Sequence, residues 1–179
     1  MYYHSNYSSP IGQITLAGTN DQLVGLWLKD QKYFRDTLPE ASVENNHLEL
    51  FDKTKKWLDE YFAGNNPKIS ELPLQPIGNE FRQTVWTILS QIPYGETITY
   101  KKIAQKAAKI LGKKTMSCQA VGGAVGHNPI SIIIPCHRVV GTNGSLTGFS
   151  GGIKKKIRLL ELEGVDVARF KIPTKGTAL

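Results

Sequence analysis

Two adjacent residues have the right types for nucleophilic chemistry: Cys136 and His137, within Ile132-Ile133-Ile134-Pro135-Cys136-His137-Arg138-Val139-Val140. A thiolate attacks carbon readily, and imidazole is a base matched to neutral pH. Three β-branched residues and a proline read as a buried strand that delivers the pair at its end. The only other cysteine is Cys118. A lone cysteine beside a histidine is a candidate nucleophile, but most free cysteines are buried and inert. From this stretch alone both readings stay open.

The surroundings narrow the chemistry. His4, His47, His127 and His137 show no metal-ligand spacing with the cysteines, so no metal is expected. The loop Gly141–Gly152 is glycine-rich but lacks a Gly-Lys-Ser/Thr ending. It reads as the adaptable wall of a pocket, with no cofactor implied. Ile153, Ile157, Leu160 and Leu162 mark a last helix stopped by Gly164, and Lys154-Lys155-Lys156 on it reads as a solvated face or a phosphate contact. Glu163 stands at the C-terminal end, where the helix dipole disfavours an acid. Either something holds it there or it is a plain exposed glutamate.

The elements that must carry these residues follow from periodicity. Residues 2–7, Gly12–Gly18 and Gln22–Leu28 alternate as three antiparallel strands, and residues 46–63 show helical spacing at Leu50, Trp57, Leu58, Tyr61 and Phe62. This half, residues 1–75, has no catalytic spacing; its aromatic residues read as core and the whole as a support domain. Pro67, Pro73, Pro76 and Gly78 form a linker. Asn79 caps a helix with Phe81, Val85, Ile88, Leu89 and Ile92 on one face. Thr99 can cap a helix over Tyr100–Ala108, Gly112 breaks it, and a second helix can start near Thr115. Together these are a helix-turn-helix candidate. The second helix carries Gly122-Gly123, which suits either close approach to a groove or tight internal packing.

Charge is uneven. Residues 1–75 hold seven Lys or Arg against ten Asp or Glu, whereas residues 76–179 hold fifteen against five. A basic half suits a polyanionic partner, and Lys101, Lys102, Lys106, Lys109, Lys113 and Lys114 lie on the first helix and the turn. No apolar run has the length of a membrane span and no signal peptide is visible, so a cytoplasmic protein with reduced thiols is expected.

Taken in order, Gly95-Glu96-Thr97-Ile98-Thr99-Tyr100, Ala120-Val121-Gly122-Gly123-Ala124 with Asn128-Pro129, Pro135–Val140, Leu146–Gly152 and Leu159-Leu160 through Glu163-Gly164 are specific. Over roughly residues 79–166 the chain resembles the O6-alkylguanine-DNA alkyltransferases, or methylated-DNA–protein-cysteine methyltransferases. The N-terminal half fits that family's variable domain only loosely. The resemblance implies an α/β fold: a ribonuclease H-like N-terminal domain with a small antiparallel sheet (1–75), a mostly helical, winged-helix-like C-terminal domain (76–170), and a tail (171–179).

It also implies irreversible, single-use transfer of an alkyl group from O6-alkylguanine, and from O4-alkylthymine, to Cys136, with no cofactor. By the resemblance, His137 takes the thiol proton through a water and Glu163 fixes the imidazole. Tyr100 serves the leaving base, while Asn128, Val139, Phe149 and Ser150 build the base pocket. Gln119, Ala120, Gly122 and Gly123, with Thr99 and Lys101, would meet the minor groove of double-stranded DNA, the protein acting as a monomer. Arg138 is read as structural or phosphate-facing.

Two departures from the family pattern stand out. Gln119 occupies a position where many members carry arginine, and the N-terminal zinc ligands of some members are missing. The rivals are a lesion-recognising protein without transfer activity, a transcription regulator and a cysteine hydrolase.

Overall fold

In the computed structural model, which describes residues 1–174, the N-terminal half is built on a four-stranded sheet. Strands β1 (Tyr2–Ser9), β2 (Gly12–Gly18) and β3 (Leu23–Leu28) run antiparallel, and β4 (Ser42–Glu44) joins β1 in parallel, giving the order β3-β2-β1-β4. The first three match the alternation in sequence. β4 was not anticipated, being three residues long and half polar, too short for a periodic signal.

Every residue of β3 is buried, because both faces of the sheet are covered. On one face Leu26 and Leu28 pack with helix α1 (Glu49–Phe62) through Phe51, Leu58 and Tyr61. On the other, Val24 and Trp27 lie under Tyr2, Leu38 and Ile77. Gly64, at φ +88°, ends α1 in the left-handed conformation that glycine adopts without strain. The outer edge of β3 is occupied as well: Leu26 N donates to Pro129 O (2.8 Å), and Ser131 N donates to Leu26 O (2.9 Å).

The C-terminal half is mostly helical. Helix α2 (Glu80–Ser90) begins at Asn79, whose side chain accepts from Arg82 N. Helix α3 (Tyr100–Ile110) begins at Thr99, whose hydroxyl accepts from Lys102 N. Helix α4 runs Cys118–Gly126. It starts three residues beyond Thr115 because Ser117 is the residue whose hydroxyl meets a free helix N–H, that of Ala120. Strands β5 (Ile98–Thr99) and β6 (Val139–Val140) pair in parallel, and helix α5 spans Ile153–Leu162.

One expectation fails at a central place. Ile132–Ile134 is not a strand. The segment is a buried turn with Ile132 at φ +70°, rare for a β-branched residue, followed by a 3-10 turn over Cys136–Arg138. Asn128 imposes this shape: its Nδ2 donates to Ile134 O (2.8 Å) and its Oδ1 accepts from Ile130 N (3.1 Å). A side chain that satisfies both ends of a five-residue turn overrides β propensity.

A single apolar core runs from Ile11 and Ile14 of the sheet through Val85 and Ile103 to Leu159 of α5. Of the expected tail, Lys171 pairs with the loop before it, its N–H on Gly144 O and its carbonyl on Leu146 N (both 2.8 Å); residues 175–179 lie outside those described.

Candidate active site

Cys136 is the first residue of the 3-10 turn and is 2 % exposed. A thiol buried among apolar groups resists ionisation, and burial does push the Cys136 thiol up. The side chains of Asn128 and Ser131 and the ammonium of Lys156 pull against that shift by favouring the thiolate.

His137 is fully buried. The 3-10 turn, unlike the strand expected from sequence, does not throw successive side chains to opposite faces. The imidazole Nε2 lies 2.7 Å from Glu163 Oε1, and Nδ1 is buried without a hydrogen-bond partner among the described residues. Burial depresses the imidazole below its usual range, against the support of Glu163. A neutral imidazole then places its proton on Nε2, toward the carboxylate, and leaves the Nδ1 lone pair free to accept.

Glu163 is the residue immediately after α5, where the dipole disfavours it, and its partners explain why it is tolerated. Besides His137, Oε1 accepts from Arg138 NH2 (2.8 Å) and from the Tyr61 hydroxyl (2.8 Å). Oε2 accepts from Arg138 Nε (2.9 Å) and Gly95 N (3.3 Å). Burial alone would raise this carboxyl, but the bonds from His137 and Arg138 outweigh it and hold it down at about 2. The exposed-glutamate reading is therefore excluded. Arg138 is structural, as expected, and not phosphate-facing: it is 8 % exposed, grips Glu163 by two nitrogens and donates to Ile92 O (2.6 Å).

The remaining candidates come from α3, β6 and the glycine-rich loop. The Tyr100 hydroxyl donates to Thr147 O (3.0 Å), and burial raises its phenol, with Cys136 adding to the effect. It is thus a hydrogen-bond donor that keeps its proton. Gly148, at φ +84°, passes so close to that phenol that a Cβ there would lie 2.3 Å from the oxygen. Phe149 is buried, Ser150 half-buried with its carbonyl accepting from Lys32 N (3.1 Å), and Val139 fully buried.

The helix-turn-helix presents a second surface. Thr99 is the half-buried cap of α3, and Lys101, Lys102, Lys106, Lys109, Lys113 and Lys114 are exposed. On α4, Gln119, Ala120 and Gly123 are exposed and Gly122 is half-buried. A Cβ on either glycine would meet nothing within 4 Å. The alternative of a tightly packed internal helix therefore fails: the glycines leave room outside the molecule, not inside it. The opposite face, Val121, Ala124 and Val125, packs inward, and Trp86 Nε1 donates to Ala124 O (2.8 Å).

Two residues have roles that the sequence does not show. Lys156, whose run reads in sequence as a solvated face or a phosphate contact, is fully buried and donates to Val139 O (2.5 Å) and Thr147 O (3.0 Å). Its spacing three after Ile153 and four before Leu160 placed it on the inward face, and that was the available signal. Tyr61, taken as core from its spacing with Trp57 and Leu58, carries a hydroxyl bonded to Glu163 from the other half of the chain. Nothing local in the sequence announces a contact across 102 residues.

Residues 80–165 match the family model described as "6-O-methylguanine DNA methyltransferase, DNA binding domain", and residues 1–76 match its "ribonuclease-like domain". A methylated-DNA–protein-cysteine methyltransferase of Methanosarcina acetivorans is 44% identical over 90% of this chain and 98% of its own. That of Haemophilus influenzae is 36% identical over 91% and 87%. Among solved structures, Mycobacterium tuberculosis OGT in complex with DNA is similar with a TM-score of 0.77 at 39% identity, covering 94% of both chains. An O6-methylguanine DNA methyltransferase from Methanococcus jannaschii aligns at TM-score 0.62 and 31% identity, over 97% of this chain and 98% of the other.

Proposed function

The chain belongs to the 6-O-methylguanine DNA methyltransferase family, and from that premise we propose that it repairs alkylated DNA by moving the alkyl group of O6-alkylguanine, or of O4-alkylthymine, onto its own Cys136. The observation that carries this reading is the buried Cys136 beside a neutral histidine whose free Nδ1 is aimed away from a carboxylate that grips the other nitrogen.

The chemistry balances without a cofactor. The Cys136 thiol gives its proton to His137 Nδ1 through one water, and Glu163 steadies the imidazolium. The thiolate attacks the alkyl carbon in line with the carbon–oxygen bond. A sulfur–carbon bond forms, the carbon–O6 bond breaks, and its electron pair stays on the guanine. The proton lost by the thiol is the one the guanine must finally gain. Tyr100, which holds its own proton firmly, turns that proton from the Thr147 carbonyl to the developing base anion and stabilises it by hydrogen bonding. The thioether has no route back, so each molecule acts once.

The target atom lies inside the duplex, so the nucleotide is flipped out. Ala120, Gly122 and Gly123 let α4 come close in the minor groove, and Gln119 fills the gap in the stack. Thr99, Lys101 and the neighbouring lysines of α3 meet phosphates. Asn128 ties α4 to the cysteine turn, and Val139, Phe149 and Ser150 form the base pocket. The protein works as a monomer and belongs in the cytoplasm, where thiols stay reduced; no helix among the described residues is long and apolar enough to cross a membrane. A recognition-only role has no use for a cysteine at position 136.

Intact mass after mixing with a duplex containing one O6-methylguanine tests this, with fragmentation to separate Cys136 from Cys118. One methyl on Cys136, saturating at one equivalent, is expected. Tight lesion binding without added mass establishes the recognition-only reading instead.

A further inference from the structure

Among the described residues Lys156 is the one fully buried cation, and the mechanism above does not use it. A fully buried ammonium loses its hydration, which costs several kcal/mol unless its surroundings compensate. Two of its three protons are met by neutral carbonyls, Val139 O and Thr147 O. No carboxylate lies within ion-pair distance of it among the described residues. Two carbonyls call for two donors, and a neutral amide supplies those without burying a charge. A cation kept here indicates a negative charge nearby for part of the working cycle.

The charge inventory identifies its source. Glu163, the buried acid of the cluster, is already neutralised by Arg138 through two hydrogen bonds. His137 is neutral, its ionisation opposed by burial and also by the charges of Arg138 and Lys156. Tyr100, whose hydroxyl shares the Thr147 carbonyl with Lys156, holds its proton. The groups facing this space from the cysteine turn, α3 and α5 therefore sum to one uncompensated positive charge, that of Lys156. The remaining group able to cancel it is Cys136. The coupling is mutual: the ammonium favours the thiolate, and the thiolate favours the ammonium against burial, which lowers Lys156 to about 8.

We propose that Lys156 is the counter-cation of the Cys136 thiolate, a positioning residue that makes the buried sulfur ionisable while bracing the Val139 and Thr147 carbonyls. This rests on Cys136 being the alkyl acceptor. The charge ledger follows the reaction. Passing the thiol proton to His137 leaves the net charge of the site unchanged but sets a thiolate beside the ammonium, and forming the neutral thioether removes that anion. The nucleophile is thus favoured and the spent site is not.

The experiment compares wild type with Lys156→Gln, Lys156→Met and Lys156→Arg. Methyl transfer from an O6-methylguanine duplex is followed in single turnover across pH, and thiolate absorbance is titrated against a Cys136→Ala baseline that accounts for Cys118. Without the cation, the rising limb of the rate and the thiolate titration move together to higher pH by about one unit or more, a loss of ~10-fold or more near neutral pH that is recovered in alkali. Lys156→Arg, if it folds, restores the wild-type limb.

An unchanged rising limb in Lys156→Gln or Lys156→Met overturns the inference. So does a loss of rate that is equal at all pH values, which marks a purely structural brace. Should neither variant fold, nitrogen NMR of the wild-type Lys156 side chain decides: an amine already neutral at about pH 7 overturns the inference and an ammonium there upholds it. If the wild-type protein itself takes no methyl on Cys136, the failure lies with the function, whatever the titrations show.

Discussion

Changing Glu163 to glutamine preserves its shape and removes the charge on which Tyr61, Gly95, His137 and Arg138 converge. A carboxamide accepts through one oxygen only, so its NH2 group must face Arg138 or the His137 ring. Arg138, 8 % exposed, then keeps its charge with no carboxylate beside it. Breaking a buried pair from one side costs about 3–5 kcal/mol.

The carboxyl offers an independent figure. Its descent from 4.5 to about 2 is worth about 3 kcal/mol, at roughly 1.4 kcal/mol per tenfold change in proton affinity. We therefore expect Glu163→Gln to lose about 3–4 kcal/mol at neutral pH, read from urea unfolding followed by circular dichroism. Methyl transfer should fall by a factor of ~100 or more, because an amide N–H facing Nε2 shifts the histidine proton to Nδ1, the nitrogen that must accept.

Adding Arg138→Met removes the orphaned cation, so the double variant should recover most of the stability but none of the rate. A loss below about 1 kcal/mol in the single variant, where unpaired buried charge should cost several, refutes the charge argument. A double variant that regains its rate refutes the tautomer argument.

Three further outcomes follow from the same geometry. Acid should destabilise the fold: a depressed carboxyl contributes stability that is complete above about pH 4.5 and is lost as pH falls toward about 2, so melting temperatures measured down that range should drop in wild type and much less in Glu163→Gln. Methylation of Cys136, 2 % exposed, overpacks the cysteine turn and should cost about 1–3 kcal/mol, seen as a lower melting temperature of the protein after reaction; an unchanged one counts against it. Gln119→Arg should bind DNA more tightly and repair faster by drawing on the minor-groove potential; equal or lower affinity and rate would mean that residue 119 does not enter the stack.

The candidates for the chemistry are more legible in the sequence than the backbone that holds them. Cys136, His137 and Glu163 stood out by type and position, and the caps Asn79 and Thr99 by their place ahead of apolar periodicity. Ile132–Ile134 misled because β propensity describes a pleated surface, whereas Asn128 bonds both ends of the turn and bends it. Lys156 misled because three consecutive lysines suggest solvent, although helical geometry sends one of them inward. Tyr61 was legible as buried and illegible as a partner, since its hydroxyl bond depends on how two distant segments meet.

The pairing of Leu26 with Pro129 and Ser131 has a consequence for how the protein is made. An uncovered strand edge is a template for pairing with another chain, and all six residues of β3 are buried in the finished molecule. During synthesis the Leu23 end of that edge can be met by Pro73 and Gln75, but its Leu26 end waits open until about a hundred further residues have emerged, and only then does the segment leading to Cys136 close it. A chain halted before that segment leaves part of an apolar strand edge uncovered and invites aggregation. The step that seats Cys136 is also the one that completes the cover of that edge.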